Sequence, residues 1–439
     1  MHDPQHPLTT SEQLHAAALD VFPGGVSHNI RYFEPHPIYI ARASDSRIWD
    51  VDGNEYVDFW MNHMASVLGH AYPDVVEAVT EQARDGLHYG APNEVALELG
   101  RLVRTFVPSA ERVRFCASGT EATMYAVRLA RAHTDRDRIL KAEGGWHGGN
   151  TDLSVAIHAP YDQPETAGLP PGVTEQVHAF PVNDPDAVVD LLERYRGEVA
   201  AIIVEPMLLA GGGVTATDEF LRTLREECDA RGCVLIFDEV VTGFRVSPGS
   251  YQARIGVLPD LTTLGKFLGG GLPVGALAGR AELFEPARPD IDVPPVERVI
   301  AGGGTFSMNP MTAAAGVASL RVLDDEPVFA YTESRAERVR TELAALFEEL
   351  NVDSVVLGES SLFLPHFAPE GPLDSVGAVE TKTDRDALRA YHVRLLEHGY
   401  YFLPGHMGSV SYQTTDAQLD GFLDATRTVV GQLRGAGRV

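Results

Sequence analysis

The sequence predicts an α/β fold whose large domain is built on a mostly parallel sheet. Two runs, Ala200-Ala201-Ile202-Ile203-Val204 and Val234-Leu235-Ile236-Phe237, are apolar without interruption, as strands covered on both faces are. A stretch of helical period, residues 218–230, separates them. The same alternation of helices and short apolar strands starts near residue 73 and persists to about residue 325, the pattern of βαβ units.

In chain order, residues 11–21 read as a capped helix stopped by Pro23-Gly24-Gly25. Residues 38–40, 47–50 and 56–59 read as strands, with the turn Asp52-Gly53-Asn54 between the last two. Helices are expected over 75–83 and 94–106, a strand over 113–116, a helix over 120–132 and a strand over 138–141. The two apolar strands and their helix follow, then a strand over 276–279. A helix over 309–323 leads into a smaller C-terminal domain, with helices over 328–350, 384–397 and 416–433 and a strand over 362–364. The expected divisions are 1–75 as an N-terminal segment, 76–325 as the large domain and 326–439 as the small one. No internal repeat or low-complexity tract interrupts them.

A chain of 439 residues is too long for one small core. Its 44% apolar and 22% charged residues are ordinary for a globular protein. The formal net charge of -27 argues against nucleic acid and anionic membrane as partners. No run approaches the ~18 apolar residues of a membrane span, and Met1-His2-Asp3-Pro4-Gln5-His6-Pro7 lacks the basic-then-apolar pattern of a signal. Cys116, Cys228 and Cys233 are sparse and odd in number, which points to a reducing cytoplasm. Cys228 and Cys233 have no matching second pair, so no metal site is expected. Only Lys141, Lys266 and Lys382 among the 35 basic residues are lysines. Acidity with so little lysine fits a salt-rich cytoplasm, with an arginine-favouring genome as the alternative.

Lys266 lies in Leu261-Thr262-Thr263-Leu264-Gly265-Lys266, ahead of the glycine-rich Gly269-Gly270-Gly271. Desolvation disfavours an ammonium, so a lysine in such a setting can lose its proton and attack a carbonyl. Asp238 closes a buried apolar strand, where an acid is costly unless paired; it can hold a pyridine nitrogen protonated, or cap the segment that follows. Glu205 closes the other apolar strand with the same two readings. Ser118-Gly119-Thr120 joins a strand to a helix, as a phosphate cradle or an ordinary capped turn would. Gly144-Gly145-Trp146-His147-Gly148-Gly149 places a ring that could stack on a flat cofactor or simply pack its own loop. Gly302-Gly303-Gly304-Thr305 opens the helix at 309, as a phosphate contact or a plain loop. All these segments follow strands or open helices at one expected sheet edge, which favours a shared site.

On these residues the chain resembles the class III, fold type I pyridoxal phosphate aminotransferases, in the branch of the glutamate-1-semialdehyde aminomutases. The resemblance runs from Pro23-Gly24-Gly25-Val26 to Gly399 and rests most firmly on Ser118-Gly119-Thr120-Glu121-Ala122, Asp238-Glu239-Val240-Val241-Thr242-Gly243-Phe244-Arg245, and residues 259–275. It implies a fold type I transferase, with a small α+β domain formed by the N- and C-terminal segments, and pyridoxal 5′-phosphate as cofactor. Lys266 would be the Schiff-base lysine and Asp238 the partner of the ring nitrogen. Ser118, Gly119 and Thr120 would take the phosphate, and Trp146 the ring face. His147, Glu205 and Val240 would line the cofactor, and Thr305 would reach the phosphate of a neighbouring subunit, making a homodimer with shared sites. Arg31 matches an arginine near the substrate carboxylate.

The branch pattern departs at His28-Asn29, at His63 and around Pro404-Gly405-His406, so His28, His63 and His406 are expected in the substrate pocket with Arg31. These departures spare the cofactor residues. The expected reaction is transamination between a small amino donor and a keto or aldehyde acceptor, with the intramolecular aminomutase shift as alternative and a cofactor-binding protein without turnover as the third reading.

Overall fold

The structure is a computed structural model describing residues 7–438. Residues 1–6, most of the stretch read above for a targeting signal, lie outside the described residues. The chain divides into two compact units: residues 1–72, 331–371 and 382–439 form one, and residues 73–330 with 372–381 form the other.

The larger unit is organised by a seven-stranded sheet in the order Arg112–Cys116, Gly275–Gly279, Leu261–Gly265, Val234–Asp238, Val199–Val204, Arg138–Ala142, Val177–Phe180. All but one of these strands run the same way. Gly275–Gly279 was expected simply to continue the parallel alternation. It instead enters antiparallel to both neighbours, with Gly265 opposite Gly275 and Gly275 opposite Cys116. The short 3-10 segment Lys266–Gly269 and its Gly270 cap turn the chain back at once, leaving no crossover helix that would restore the parallel direction. The two apolar runs are fully buried strands. Helix Gly119–Thr134 covers the sheet, and its Ala126, Leu129 and Ala130 share a core with Ile203, Ile236 and Leu277.

The parallel directions put the C-terminal ends of six strands on one edge, five of which carry candidate site residues. From them emerge Ser118-Gly119, the loop after Ala142, Glu205, Asp238 and Lys266. Strands Leu261–Gly265 and Val177–Phe180 and helix Pro185–Arg194 were not expected. The helix carries an available signal: Asp184 accepts the Ala187 N–H at 3.0 Å and Pro185 sits at its first turn.

The smaller unit holds a sheet of Ile40–Ser44, Arg47–Asp50, Glu55–Asp58 and Tyr400–Tyr401, the last paired parallel to Glu55–Asp58. A second sheet joins Ser354–Leu357, Leu362–Phe367 and Gly408–Ser409. Phe59, Phe363, Phe402 and Phe422 pack ring to ring with centroids as close as 4.9 Å. The first helix spans Thr9–Ala18 rather than 11–21, because its amides are capped from a distance. Asp52 accepts the Thr10 N–H at 2.6 Å and the Ser11 N–H at 3.0 Å. The strand expected over 38–40 begins at Ile40; Ile38 is a core residue beside Ile48 and Tyr56. Met61, Asn62, His63 and Met64 all have φ between 46° and 61°, a left-handed turn without glycine. Each such residue costs roughly 1–2 kcal/mol, and strain of this kind persists only where neighbours over-determine it. Here Asp58 Oδ1 fastens the entry by accepting the Trp60 and Met61 N–H groups at 2.8 and 3.0 Å.

Candidate active site

Lys266 follows a strand whose every residue is buried, and itself has φ +47°, a left-handed value rare outside glycine. Burial lowers its pKa; the carboxylates of Asp238 and Glu205 oppose that shift and the Arg245 charge adds to it. Its amine is therefore more readily unprotonated than an ordinary lysine's.

Asp238 ends the adjacent strand, with Thr263 directly across from it. Asp238 Oδ1 accepts from the Thr263 hydroxyl at 3.0 Å and the Val240 N–H at 3.1 Å. Its Oδ2 lies 2.7 Å from His147 Nδ1. Burial lowers the His147 pKa, so the ring is neutral and Nδ1–H donates to the carboxylate. His147 Nε2 is buried without a partner among the described residues. Glu205, also buried, accepts the Trp146 N–H at 2.7 Å. Burial, then the charge of Asp238, pushes the Glu205 pKa up to about 8.

The phosphate-loop residues head helix Gly119–Thr134. Ser118 is the N-cap, accepting the Glu121 N–H at 3.2 Å, and the Glu121 carboxylate accepts the Ala117 N–H at 2.6 Å. The amides of Gly119 and Thr120 stand at the first turn, where a helix has no carbonyls for them and its dipole favours an anion. Glycines bring the surrounding backbones together. A Cβ on Gly119 would lie 3.0 Å from the Val240 methyls, one on Gly148 2.2 Å from Thr120 Oγ1, and one on Gly275 1.9 Å from Ser118 O. Because that last neighbour is backbone, Gly275→Ala displaces the loop itself. The expected result is a loss of about 1–3 kcal/mol in urea unfolding with weakened pyridoxal phosphate binding; unchanged values for both would contradict this packing.

The structure thus gathers Lys266, Asp238, Val240, Glu205, His147, Trp146 and Ser118–Thr120 at one sheet edge. Trp146 is 46% exposed, its ring free to cover a flat ligand. Thr305 is exposed, in a loop that runs beside the phosphate-loop helix: a Cβ on Gly304 would lie 3.1 Å from Glu121 Oε1. In the other unit, His63 lies 4.5 Å from Trp60 and 6.2 Å from His28, and His406 5.5 Å from Trp60, between ring centroids. The three histidines are therefore clustered, about a tryptophan that the sequence reading passed over. Arg31 is exposed and donates to Ser27 Oγ at 3.2 Å. The reading also missed Thr263, whose one signal is a hydroxyl residue inside an apolar strand.

This donor set fits pyridoxal phosphate: an amine of lowered pKa, a carboxylate on the neighbouring strand, helix amides in a glycine-built cradle, and an exposed indole. A seven-stranded sheet with these groups at its edge defines the fold type I transferases, enzymes whose cofactor is pyridoxal 5′-phosphate. The family model for class III aminotransferases matches residues 31–428, and the chain belongs to that family. It is 39% identical over 430 residues to the glutamate-1-semialdehyde 2,1-aminomutase of Methanopyrus kandleri, covering 97% of this chain and 98% of that protein. It is 38% identical over 429 residues to the protein of the same name from Thermoplasma acidophilum, with 96% and 99% covered. Its fold matches an omega-transaminase from Sphaerobacter thermophilus with a TM-score of 0.89 and 35% identity, over 97% of this chain and 98% of that one. No helix among the described residues is long and apolar enough to cross a membrane.

Proposed function

We propose that this enzyme shifts an amino group between carbons of one small amino aldehyde, as the name glutamate-1-semialdehyde 2,1-aminomutase describes for its relatives. The near full-length identity to those proteins carries the reading. It favours the alternative of the sequence reading over the intermolecular transfer expected first.

Bound pyridoxal phosphate supplies a ring that takes up the electron pair of a breaking C–H bond. Lys266 would hold the cofactor through its amine, and that amine, when free, is the group placed to take and return a proton. The Asp238 carboxylate keeps the ring nitrogen protonated, and His147 and Thr263 hold that carboxylate in place. Ser118, Gly119 and Thr120 would anchor the phosphate, and Trp146, Val240 and Glu205 would line the ring. His28, Arg31, His63 and His406 are the candidates for the substrate's polar groups.

We further propose a homodimer in which Thr305 serves the partner subunit's phosphate, supported by exposed Thr305 and Phe306 in one loop and by exposed Val296 and Ile300 shortly before it. A cytoplasmic home accords with three unpaired, buried cysteines.

Transamination is the second reading, favoured by the likeness to an omega-transaminase and by the histidine cluster where the branch pattern departs. The two separate on one assay. Incubated with glutamate-1-semialdehyde and no acceptor, the enzyme is expected to yield an isomer of equal mass that keeps an isotopically labelled amino nitrogen. A keto product formed only when an acceptor is added would overturn the shift in favour of transfer.

A further inference from the structure

Lys141 is the most deeply buried of the three lysines, and the chemistry above does not use it. It sits in strand Arg138–Ala142 with 0% of its surface exposed. Its Nζ donates to the carbonyls of Val155 at 2.6 Å, Gly145 at 2.9 Å and Leu153 at 3.4 Å. An ammonium has three donors, and all three go to backbone oxygens.

Those oxygens belong to the two arms of one excursion, residues 143–156. Gly145 lies on the outgoing arm, immediately before Trp146; Leu153 and Val155 lie on the returning arm. Other groups close the same excursion. Ala156 O accepts the Gly144 N–H at 2.9 Å. The His147 carbonyl accepts from Thr123 Oγ1 at 2.6 Å and Asn150 Nδ2 at 3.2 Å. Trp146 is thus fastened on both sides of its N–H: Glu205 takes the N–H itself, and Lys141 takes the carbonyl before it. Burying an ammonium costs several kcal/mol before its partners offset it, so an apolar side chain would fill this site at lower cost. The charge is kept where its partners are the backbone that carries the stacking ring and the imidazole against Asp238.

We propose that Lys141 is a positioning residue whose ammonium clasps the two arms of the 143–156 excursion and so sets Trp146 and His147 against the cofactor ring. This rests on the reading of Trp146 and His147 as cofactor contacts. The charge is present at neutral pH, since burial brings the Lys141 pKa down only to about 8, with Glu205 and Glu165 opposing the fall.

The test compares Lys141→Met, which fills the space without donors, with Lys141→Arg and with Leu192→Ala as a core lesion remote from the excursion. Each apoprotein is titrated with pyridoxal phosphate, and the visible circular dichroism of the bound cofactor is recorded beside the thermal midpoint. Lys141→Met is expected to weaken cofactor binding 10- to 100-fold and to change the visible dichroism. Lys141→Arg should recover part of both, and Leu192→Ala should lower the midpoint alone. Normal binding and dichroism in Lys141→Met would overturn the proposal, whatever its midpoint. Trp146→Ala reports on the underlying reading: if it binds pyridoxal phosphate with unaltered dichroism, the stacking role fails independently of Lys141.

Should Lys141→Met not fold, hydrogen exchange of the wild-type apoprotein decides. From pH 7 to 9, corrected for intrinsic rates, protection of 144–156 should fall as Lys141 gives up its proton, while Val234–Asp238 stays protected. The other titrating groups facing this amine are Glu205, Glu165 and His147; Glu205→Gln removes the one that loses its proton in the same range. Protection of 144–156 that does not change overturns the clasp.

Discussion

Replacing Lys266 by alanine is expected to abolish covalent retention of pyridoxal phosphate after borohydride reduction and to lower kcat/KM by ~10⁴-fold, the upper end for a positioned acid–base group. Both effects follow from one amine serving as tether and proton carrier. Competition from other lysines is small because the chain has only two more. Lys141 is spent on three carbonyls inside the core, and Lys382 closes helix Val376–Lys382. Peptide mapping of the reduced wild type should find the adduct on Lys266. An adduct on either other lysine, or one that survives in Lys266→Ala, would overturn the assignment.

Asp238→Asn is expected to cost ~10²–10³-fold in kcat, the scale of removing a preorganised electrostatic contact. The change preserves shape, so the loss reads out charge. It also reaches His147. The amide oxygen can still accept from Thr263 and Val240, but the NH₂ group then faces His147 Nδ1 at the position of a 2.7 Å contact. The imidazole must switch tautomer and place its proton on Nε2, a buried atom without a partner among the described residues. That exchanges one unpartnered group for another, but a hydrogen bond to a charged carboxylate becomes one to a neutral amide, a loss of about 1 kcal/mol, so the variant should also unfold slightly earlier in a thermal scan. Turnover within a few-fold of wild type would show that the carboxylate is not what the ring nitrogen requires.

The legible parts of the fold are those whose information is local. Helix Glu94–Phe106 begins and ends where its apolar period does, because Asn93 caps it by accepting the Ala96 N–H. The apolar strands announce themselves because both faces are covered. Strand direction has no such local record: Gly275–Gly279 reads like its neighbours and runs the other way. The cap of the first helix comes from Asp52, distant in sequence, and Tyr400–Tyr401 and Gly408–Ser409 are too short to leave a pattern. Nor does the left-handed turn at Met61–Met64 advertise itself, since no glycine marks it.

The site divides in the same way. Lys266, Asp238 and Ser118–Thr120 stand out because strand ends and helix starts are where polar residues interrupt an apolar text. Thr263 and Lys141 act from inside strands. There the sequence shows a polar residue but not which carboxylate or carbonyl awaits it.

The pairing of Tyr400–Tyr401 with Glu55–Asp58 sets a clock on the protein's birth. The first strand leaves the ribosome long before its partner exists, and at ~5–20 residues per second the wait lasts roughly tens of seconds. During that interval Val57 and Asp58 have no chain to take the places of Tyr400 and Tyr401, and Phe59 lacks the rings of Phe363, Phe402 and Phe422. The larger unit has nearly all of its residues by then, the last short piece being 372–381. Assembly during translation is therefore ordered from the middle of the chain outward, and the N-terminal segment is the part with most need of a chaperone.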